Sequence, residues 1–286
     1  MLDRLHLKNF RCFKDHQVPF RPVTLIVGRN NAGKSTIVEA LRLVSLIVSR
    51  RGKVNYRSAP EWTGLRPMDR GLAPSLHQMG FDFRTVFHHY SQPPAEITAT
   101  FSSGDEIRIY IGPNEQIFAT IRLASGSYAK SKGQANTTDI PSVIALPQIG
   151  PLSDEETILA EDYIRKNSAT ELASRHFRNQ VRLYSEDFDG FKRLAEESWP
   201  RLQIKPVVSK NNLPGDLLGL RIRDGDFVGE VATMGHGLQM WLQTMWFLAR
   251  SPTEGAVILE SRVILRQLTC ERPACSVMEC QAPLDR

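Results

Sequence analysis

The chain has little cysteine, no long apolar run and, over its first sixty residues, few acids. Its four cysteines stand at 12, 270, 275 and 280, and no two have C-x-x-C spacing. A zinc site is therefore not expected, nor are structural disulfides. Nothing approaches the ~18 consecutive apolar residues of a membrane span. The opening Met-Leu-Asp-Arg-Leu-His-Leu-Lys puts charges where a signal peptide needs an apolar block. A cytoplasmic location with no membrane partner is the resulting expectation. Internal repeats and low-complexity tracts are absent as well. With 41% hydrophobic and 23% charged residues, the composition is that of an ordinary globular protein. The 286 residues are enough for one large domain or two small ones.

The scarcity of acids is local. Residues 1–60 hold twelve Lys or Arg against Asp3, Asp15 and Glu39, a local charge of +9 within a total of +5. Such asymmetry suits a polyanionic ligand, a nucleotide or a nucleic acid; a solvated basic surface is the plain alternative.

What is present is concentrated at one place. Gly28-Arg29-Asn30-Asn31-Ala32-Gly33-Lys34-Ser35-Thr36 fits G-x-x-x-x-G-K-[ST], the loop that wraps nucleotide phosphates. Glycines at 28 and 33 permit backbone angles and close approach that a Cβ would block. Successive N–H groups can then form an anion nest at the positive end of the next helix. Lys34 would reach the β- and γ-phosphates of ATP, and the Ser35 hydroxyl would ligate Mg²⁺. The flanks agree with this reading: Val23–Val27 reads as a buried strand. Ile37–Val48 reads as a buried helix, apolar at 37, 41, 44 and 48 and also at 40, 43 and 47.

Elsewhere, 2–8 alternates as a half-buried strand, with a second short strand near Gln17–Phe20. Residues 54–93 carry several prolines and glycines and read as an irregular insertion. Ala95–Phe101, Glu106–Ile111 and Gln116–Leu123 predict an antiparallel meander, 124–140 a flexible loop, and Val143–Leu146 a short strand. A helical lobe is expected over 151–200. Capping-box patterns stand at Ser153-Asp154-Glu155-Glu156 and Ser168-Ala169-Thr170-Glu171. A helix from Asp187 presents Phe188, Phe191, Leu194 and Ala195, and Trp199 closes it. Ile204–Val208, Leu217–Ile222 and Phe227–Val231 read as strands.

A second constellation lies late in the chain. Met234-Gly235-His236-Gly237-Leu238-Gln239 opens a helix apolar at 238, 241, 242, 245, 246 and 249. Its glycine start is either another anion-binding terminus or a tight turn. Gly255-Ala256-Val257-Ile258-Leu259-Glu260 then gives an apolar strand ending in a carboxylate. In P-loop proteins such a strand lies beside the P-loop strand, and its acid holds Mg²⁺.

Taken in order, Asn9-Phe10-Arg11, the loop 28–36, Gly235-His236-Gly237-Leu238-Gln239 and Val257-Ile258-Leu259-Glu260 resemble ABC-type ATPase heads. The likeness is to the RecF/SMC and OLD (overcoming lysogenization defect) group, often described as ATP-dependent endonucleases. It covers residues 1–260, leaving 261–286 as a tail without a family counterpart. The resemblance implies an α/β fold: a P-loop NTPase with an ABC-ATPase-like head, a mixed sheet, an antiparallel β portion and a helical lobe. It implies ATP and Mg²⁺ held between the two heads of a homodimer. Gly28 to Thr36 and Arg11 would touch the nucleotide, and Ser35 and Glu260 the metal. His236, Gly237 and Gln239 would reach the γ-phosphate in trans, and Gln148 the attacking water. His236 stands where the family signature usually has Ser. DNA and a downstream nuclease domain or partner are candidate associates. A transporter subunit is the rival, and the early Asn9-Phe10-Arg11 and the long insertions argue against it.

The pattern breaks after Glu260. The family carries a second acid there, the general base, followed by Pro; this chain has Ser261-Arg262. The remainder lacks aspartate until Asp285 and lacks histidine altogether. A frameshift would account for this. Restoring one nucleotide after codon 260, with suitable codons, reads Glu-Glu-Pro-Gly-Asp-Pro-Pro-Pro-Ala-Asp-Leu-Arg-Ala. A genuinely divergent C-terminus is the rival. As it stands, the chain is expected to bind ATP and hydrolyse it poorly, acting as a DNA-processing or phage-defence ATPase module or as a non-catalytic ATP-gated module.

Overall fold

Alternation of apolar and polar residues shapes the first sheet. In the computed structural model, which describes residues 1–76, 81–146, 149–167, 173–251, 256–258 and 275–279, strand β1 (Leu2–Phe10) turns Leu2, Leu5, Leu7 and Phe10 inward. A register shift between Leu2 and Arg4 lets the inward set skip a residue. Strand β2 (Phe13–Pro19) folds back on it, opposing Leu5 with Val18. Strand β3 (Val23–Val27) leads to the glycine loop and helix α1 (Lys34–Arg50). The helix buries Ile37, Ala40, Leu41, Leu43, Val44, Ile47 and Val48, all seven positions that its apolar spacing predicts.

Two short strands, β4 (Arg57–Ser58) and β5 (Arg70–Gly71), pair within the stretch that follows. The meander is as predicted: β6 (Ala95–Phe101), β7 (Glu106–Ile111) and β8 (Ile117–Arg122) extend the first sheet in the order β2-β1-β6-β7-β8. The loop at 124–140 is not without structure. Ser131 accepts a hydrogen bond from the Gln134 amide and starts a one-turn helix, α2 (Lys132–Asn136). Strand β9 (Val143–Ala145) is tied to α1 by the Ser45 hydroxyl, which donates to the Val143 carbonyl at 2.5 Å.

The chain divides into two compact units, one built on Met1–Ala145 with two late strands, the other on Leu146–Thr253. The second holds α3 (Glu161–Asn167), α4 (Phe177–Leu183), α5 (Phe188–Ser198), strands β10 (Leu202–Ile204), β11 (Val208–Ser209), β12 (Leu218–Gly219), β13 (Arg221–Asp224) and β14 (Phe227–Glu230), and α6 (His236–Ala249). Its core packs Phe177, Val181, Phe191, Ala195 and Ile222 with Leu238, Leu242 and Trp246. Helix α5 ends at Trp199 as predicted.

Several expectations are corrected. No helix begins at Ser153; instead the Glu156 carboxylate accepts from the Arg178 and Asn179 amides and so caps α4, 22 residues further on. The second capping pattern, at 168–171, lies outside the described residues. The expected strand 204–208 is cut after Ile204, where Lys205-Pro206 intervenes and proline offers no donor. The expected strand 217–222 divides at Leu220, whose N–H goes to the Glu230 carboxylate at 3.2 Å. Strand β3 is not buried on both faces: Val23, Leu25 and Val27 are 48%, 51% and 36% exposed. The strand after α6, β15 (Ala256–Ile258), pairs in parallel with β9 and not with the P-loop strand. The parallel neighbour of β3 comes from the tail, β16 (Cys275–Glu279), with Val277 opposite Leu25.

Candidate functional site: the P-loop cleft

The turn after β3 is made by two left-handed residues, Asn31 (φ 64°) and Gly33 (φ 92°). Gly33 is required twice over. Its φ suits glycine alone, and an added Cβ would lie 2.4 Å from Phe13 Cζ and 2.9 Å from Cys12 Sγ. Replacing Gly33 by Ala should cost about 2–3 kcal/mol, the combined toll of a left-handed alanine and an overpacked contact. Thermal unfolding of the variant against the parent measures this; an unchanged midpoint would contradict the fit around Gly33.

Helix α1 starts at Lys34 with Gly33 as its cap residue. No side chain caps it, and its first turn holds no acid. The uncapped N–H groups and the positive end of the helix therefore favour an anion. Lys34 folds over the loop, donating from Nζ to the Gly28 and Arg29 carbonyls at 2.7 Å each. Asn30, Asn31, Gly33, Lys34, Ser35 and Thr36 line a cleft of about 860 Å³ with Arg11 and Cys12. The Ser35 side chain belongs to an exposed residue, and the Cys12 thiol donates to Thr36 Oγ1 at 3.6 Å.

The segment Asn9-Phe10-Arg11 brackets a second loop. Asn9 and Arg11 both have positive φ (53° and 51°). Asn9 Nδ2 donates to the Gln92 and Pro94 carbonyls at 2.8 and 3.0 Å, and its Oδ1 accepts from the His88 amide and the Ser91 hydroxyl. Arg11 donates to both Glu39 oxygens at 2.5 and 2.7 Å, to Thr85 Oγ1 at 2.8 Å and to the Asp82 carbonyl at 2.8 Å. Four of its five N–H groups are thus engaged within the protein, although the residue still borders the cleft. The bracketed loop brings Thr85, Phe87, His89 and Tyr90 to the same cleft. Sequence reasoning passed over these four. Their signal was the aromatic and histidine run Phe87-His88-His89-Tyr90 inside a stretch read as irregular.

In the second unit, Gly235, His236 and Gly237 are exposed at the start of α6. Gln239 is not available there. It is 1% exposed, its Oε1 accepts from the Leu152 amide, and its Nε2 donates to the Ala232 and Met234 carbonyls. The expected trans contact by Gln239 is therefore withdrawn. The side chain instead ties α6 to the segments before it. Gln148 and Glu260 lie outside the described residues. Among the described residues no group of three His, Cys, Asp or Glu side chains is arranged to hold a metal, and no helix is long and apolar enough to cross a membrane.

Residues 1–46 match a family described as the AAA ATPase domain. An OLD nuclease of Thermus scotoductus is 57% identical over 44 residues, which is 15% of this chain and 8% of that protein. A DNA replication and repair protein RecF of Synechococcus is 41% identical over 51 residues, 18% of this chain and 13% of the relative. The aligned stretches are thus a small part of either relative. Among solved structures, a RecF–ATP complex aligns over 87% of this chain and 79% of its own, with 12% identity and a TM-score of 0.46. A Pyrococcus furiosus Smc head aligns over 87% and 78%, with 12% identity and a TM-score of 0.44. What the family and sequence matches share with the chain is its first ~50 residues, the segment that carries β1 to α1 and the loop 28–36, and over that segment the chain is similar to an AAA ATPase domain, an OLD nuclease and RecF.

Proposed function

We propose that the chain binds ATP·Mg²⁺ in the P-loop cleft and acts as an ATP-gated head. Two copies would close on the nucleotide through the exposed His236–Gly237 start of α6. The observation that carries the reading is the uncapped start of α1 meeting the Lys34 ammonium in one cleft. The residues fit the ligand: a triphosphate would take the first-turn N–H groups and draw Lys34 away from the Gly28 and Arg29 carbonyls. Ser35 and Glu260 would hold Mg²⁺, which would supply neutralisation of phosphate charge. The output would be DNA processing or phage defence through a nuclease domain or partner. Ser261-Arg262 after Glu260 favours a second form of the same reading, a module that closes on ATP with little turnover.

Calorimetric titration with ATP·Mg²⁺ tests it. The Lys34→Ala variant should bind about 30-fold more weakly, or ~2 kcal/mol. A charge-assisted bond to phosphate contributes more than that alone, but the two carbonyl bonds it replaces offset part of the gain. Equal affinity in the variant would remove the phosphate role of Lys34. Duplex DNA binding that weakens steeply with salt would support the DNA-processing output, and salt-independent or absent binding would leave the ATP-gated module.

A further inference from the structure

Phosphate recognition accounts for only one end of the cleft. Lys34 and the helix terminus lie with 28–36 and Arg11 beside them, whereas the 85–90 loop contributes Thr85, Phe87, His89 and Tyr90 and neither lysine nor arginine. Phe87 is packed against the core. His89 and Tyr90 are exposed, Tyr90 to 81%. Both have left-handed backbones, His89 at φ 48° and ψ 37° and Tyr90 at φ 55°. Two consecutive side chains rarely adopt that conformation unless the surroundings impose it. Here the surroundings do. Asn9 holds the loop on both sides, at the His88 amide and at Ser91, Gln92 and Pro94. His88 Nδ1 sits 3.0 Å from the Arg11 carbonyl, and Thr85 accepts from Arg11. Of nine non-glycine residues with positive φ among the described residues, four (Arg11, Asn31, His89 and Tyr90) line this cleft, and a fifth, Asn9, holds the 88–94 segment. The His88 ring stacks on His89, with centroids 4.1 Å apart and planes 19° apart, which steadies the second imidazole from behind.

We propose that His89 and Tyr90 form the base subsite of this cleft, an aromatic platform on which the nucleobase of a bound nucleoside triphosphate stacks. The proposal rests on the phosphate reading of 28–36 and adds the part of the ligand that the loop 28–36 does not contact. Stacking reads area and not the hydrogen-bonding edge, since every base has a π-face. The subsite therefore takes purines in preference to pyrimidines and discriminates little between ATP and GTP. The Asn9 bracket is a positioning device: it keeps the platform beside the P-loop and does not touch the ligand.

Calorimetry on the full chain, with Mg²⁺ fixed, tests this using ATP, GTP, UTP and inorganic tripolyphosphate. For the parent, ATP and GTP should agree within about threefold, and tripolyphosphate should bind roughly tenfold more weakly, as the loss of one stacked base implies. Tyr90→Ala should lose about tenfold for ATP while tripolyphosphate stays within about twofold, and Tyr90→Trp should restore ATP binding. Tyr90 is exposed, so circular dichroism should show both variants folded as the parent is. An equal loss for both ligands in Tyr90→Ala, or no loss for ATP, would overturn the subsite. So would ATP favoured over GTP by more than about thirtyfold, which requires edge recognition. Tripolyphosphate binding as tightly as ATP in the parent removes the subsite and leaves the P-loop reading standing. A parent that binds neither ligand removes both.

Discussion

ATP turnover by this chain is expected to run about 10²–10⁴-fold below that of the same chain carrying Ser261→Glu and Arg262→Pro, the factor that a positioned general base supplies. Attack on the γ-phosphate needs a water whose proton has somewhere to go. Glu260, if it holds the metal, cannot serve as that base as well. The residue after it is a serine and the next an arginine. Among the described residues, those lining the cleft offer no substitute. They include the cations Arg11 and Lys34, the amides Asn30 and Asn31 and several hydroxyls, but no carboxylate. Glu39, the acid of α1, is held by two Arg11 N–H groups. His89 is the imidazole among these lining residues, and stacking under a nucleobase would aim it away from the γ-phosphate. Single-turnover release of labelled γ-phosphate compares the two chains directly. A parent rate equal to that of the double variant would show that another group does this work.

The loop 28–36 and the helix after it were legible in the sequence because their grammar is local. Each residue of 28–36 has a mechanical role within one turn, and α1 announces itself by apolar spacing that the fold keeps at all seven positions. The meander was equally plain, since turn residues and alternation define it without reference to the rest of the chain. Legibility ended where a residue's partner is remote. Glu156 looks like the third residue after a helix-capping Ser153, but its carboxylate caps a helix 22 residues away, and no short pattern encodes that. Gln239 sits in a signature position by sequence, yet its amide satisfies backbone groups at 152, 232 and 234, so burial removes it from any surface role. Val23–Val27 is apolar at four of five positions, which reads as burial on both faces; the exposure of Val23, Leu25 and Val27 is a tertiary fact. The 85–90 wall was missed for the same reason. Contacts from Asn9 and Arg11, more than seventy residues earlier, hold the loop that brings Tyr90 to the cleft Lys34 lines.

Replacing Arg178 by Met should cost the second unit about 3–5 kcal/mol, because it leaves the buried Glu156 and half-buried Glu230 carboxylates without their cation. Arg178 is 1% exposed, and its five N–H groups have five acceptors. Glu230 takes two of them at 2.8 and 2.7 Å, the Ser153 and Asp154 carbonyls take two more, and Glu156 accepts at 3.4 Å. The carboxylates are in turn committed to backbone: Glu156 to the start of α4, and Glu230 to the Leu220 and Ala232 amides. One guanidinium thereby joins the loop before α3, the first turn of α4 and the 231–233 turn that leads into α6. Burial alone would raise the Glu230 carboxyl, but the Arg178 and backbone donors outweigh it and leave it below its ordinary value near 4.5. A carboxyl lowered on folding contributes stability that is present above that value and fades as pH falls through the folded one. In the Met variant the same carboxyl has lost its cation, burial dominates, and its folded value rises. The difference between parent and variant should therefore be largest near pH 7 and shrink towards pH 4, measured by denaturant unfolding at both. Adding Glu230→Gln to Arg178→Met should recover part of the loss, since it removes a stranded charge. A constant difference across that pH range, or a double variant weaker by the full sum of the single losses, would show that Arg178 acts by packing and not by charge. In that case the exposed His236–Gly237 start of α6 would not depend on this ion pair for its position.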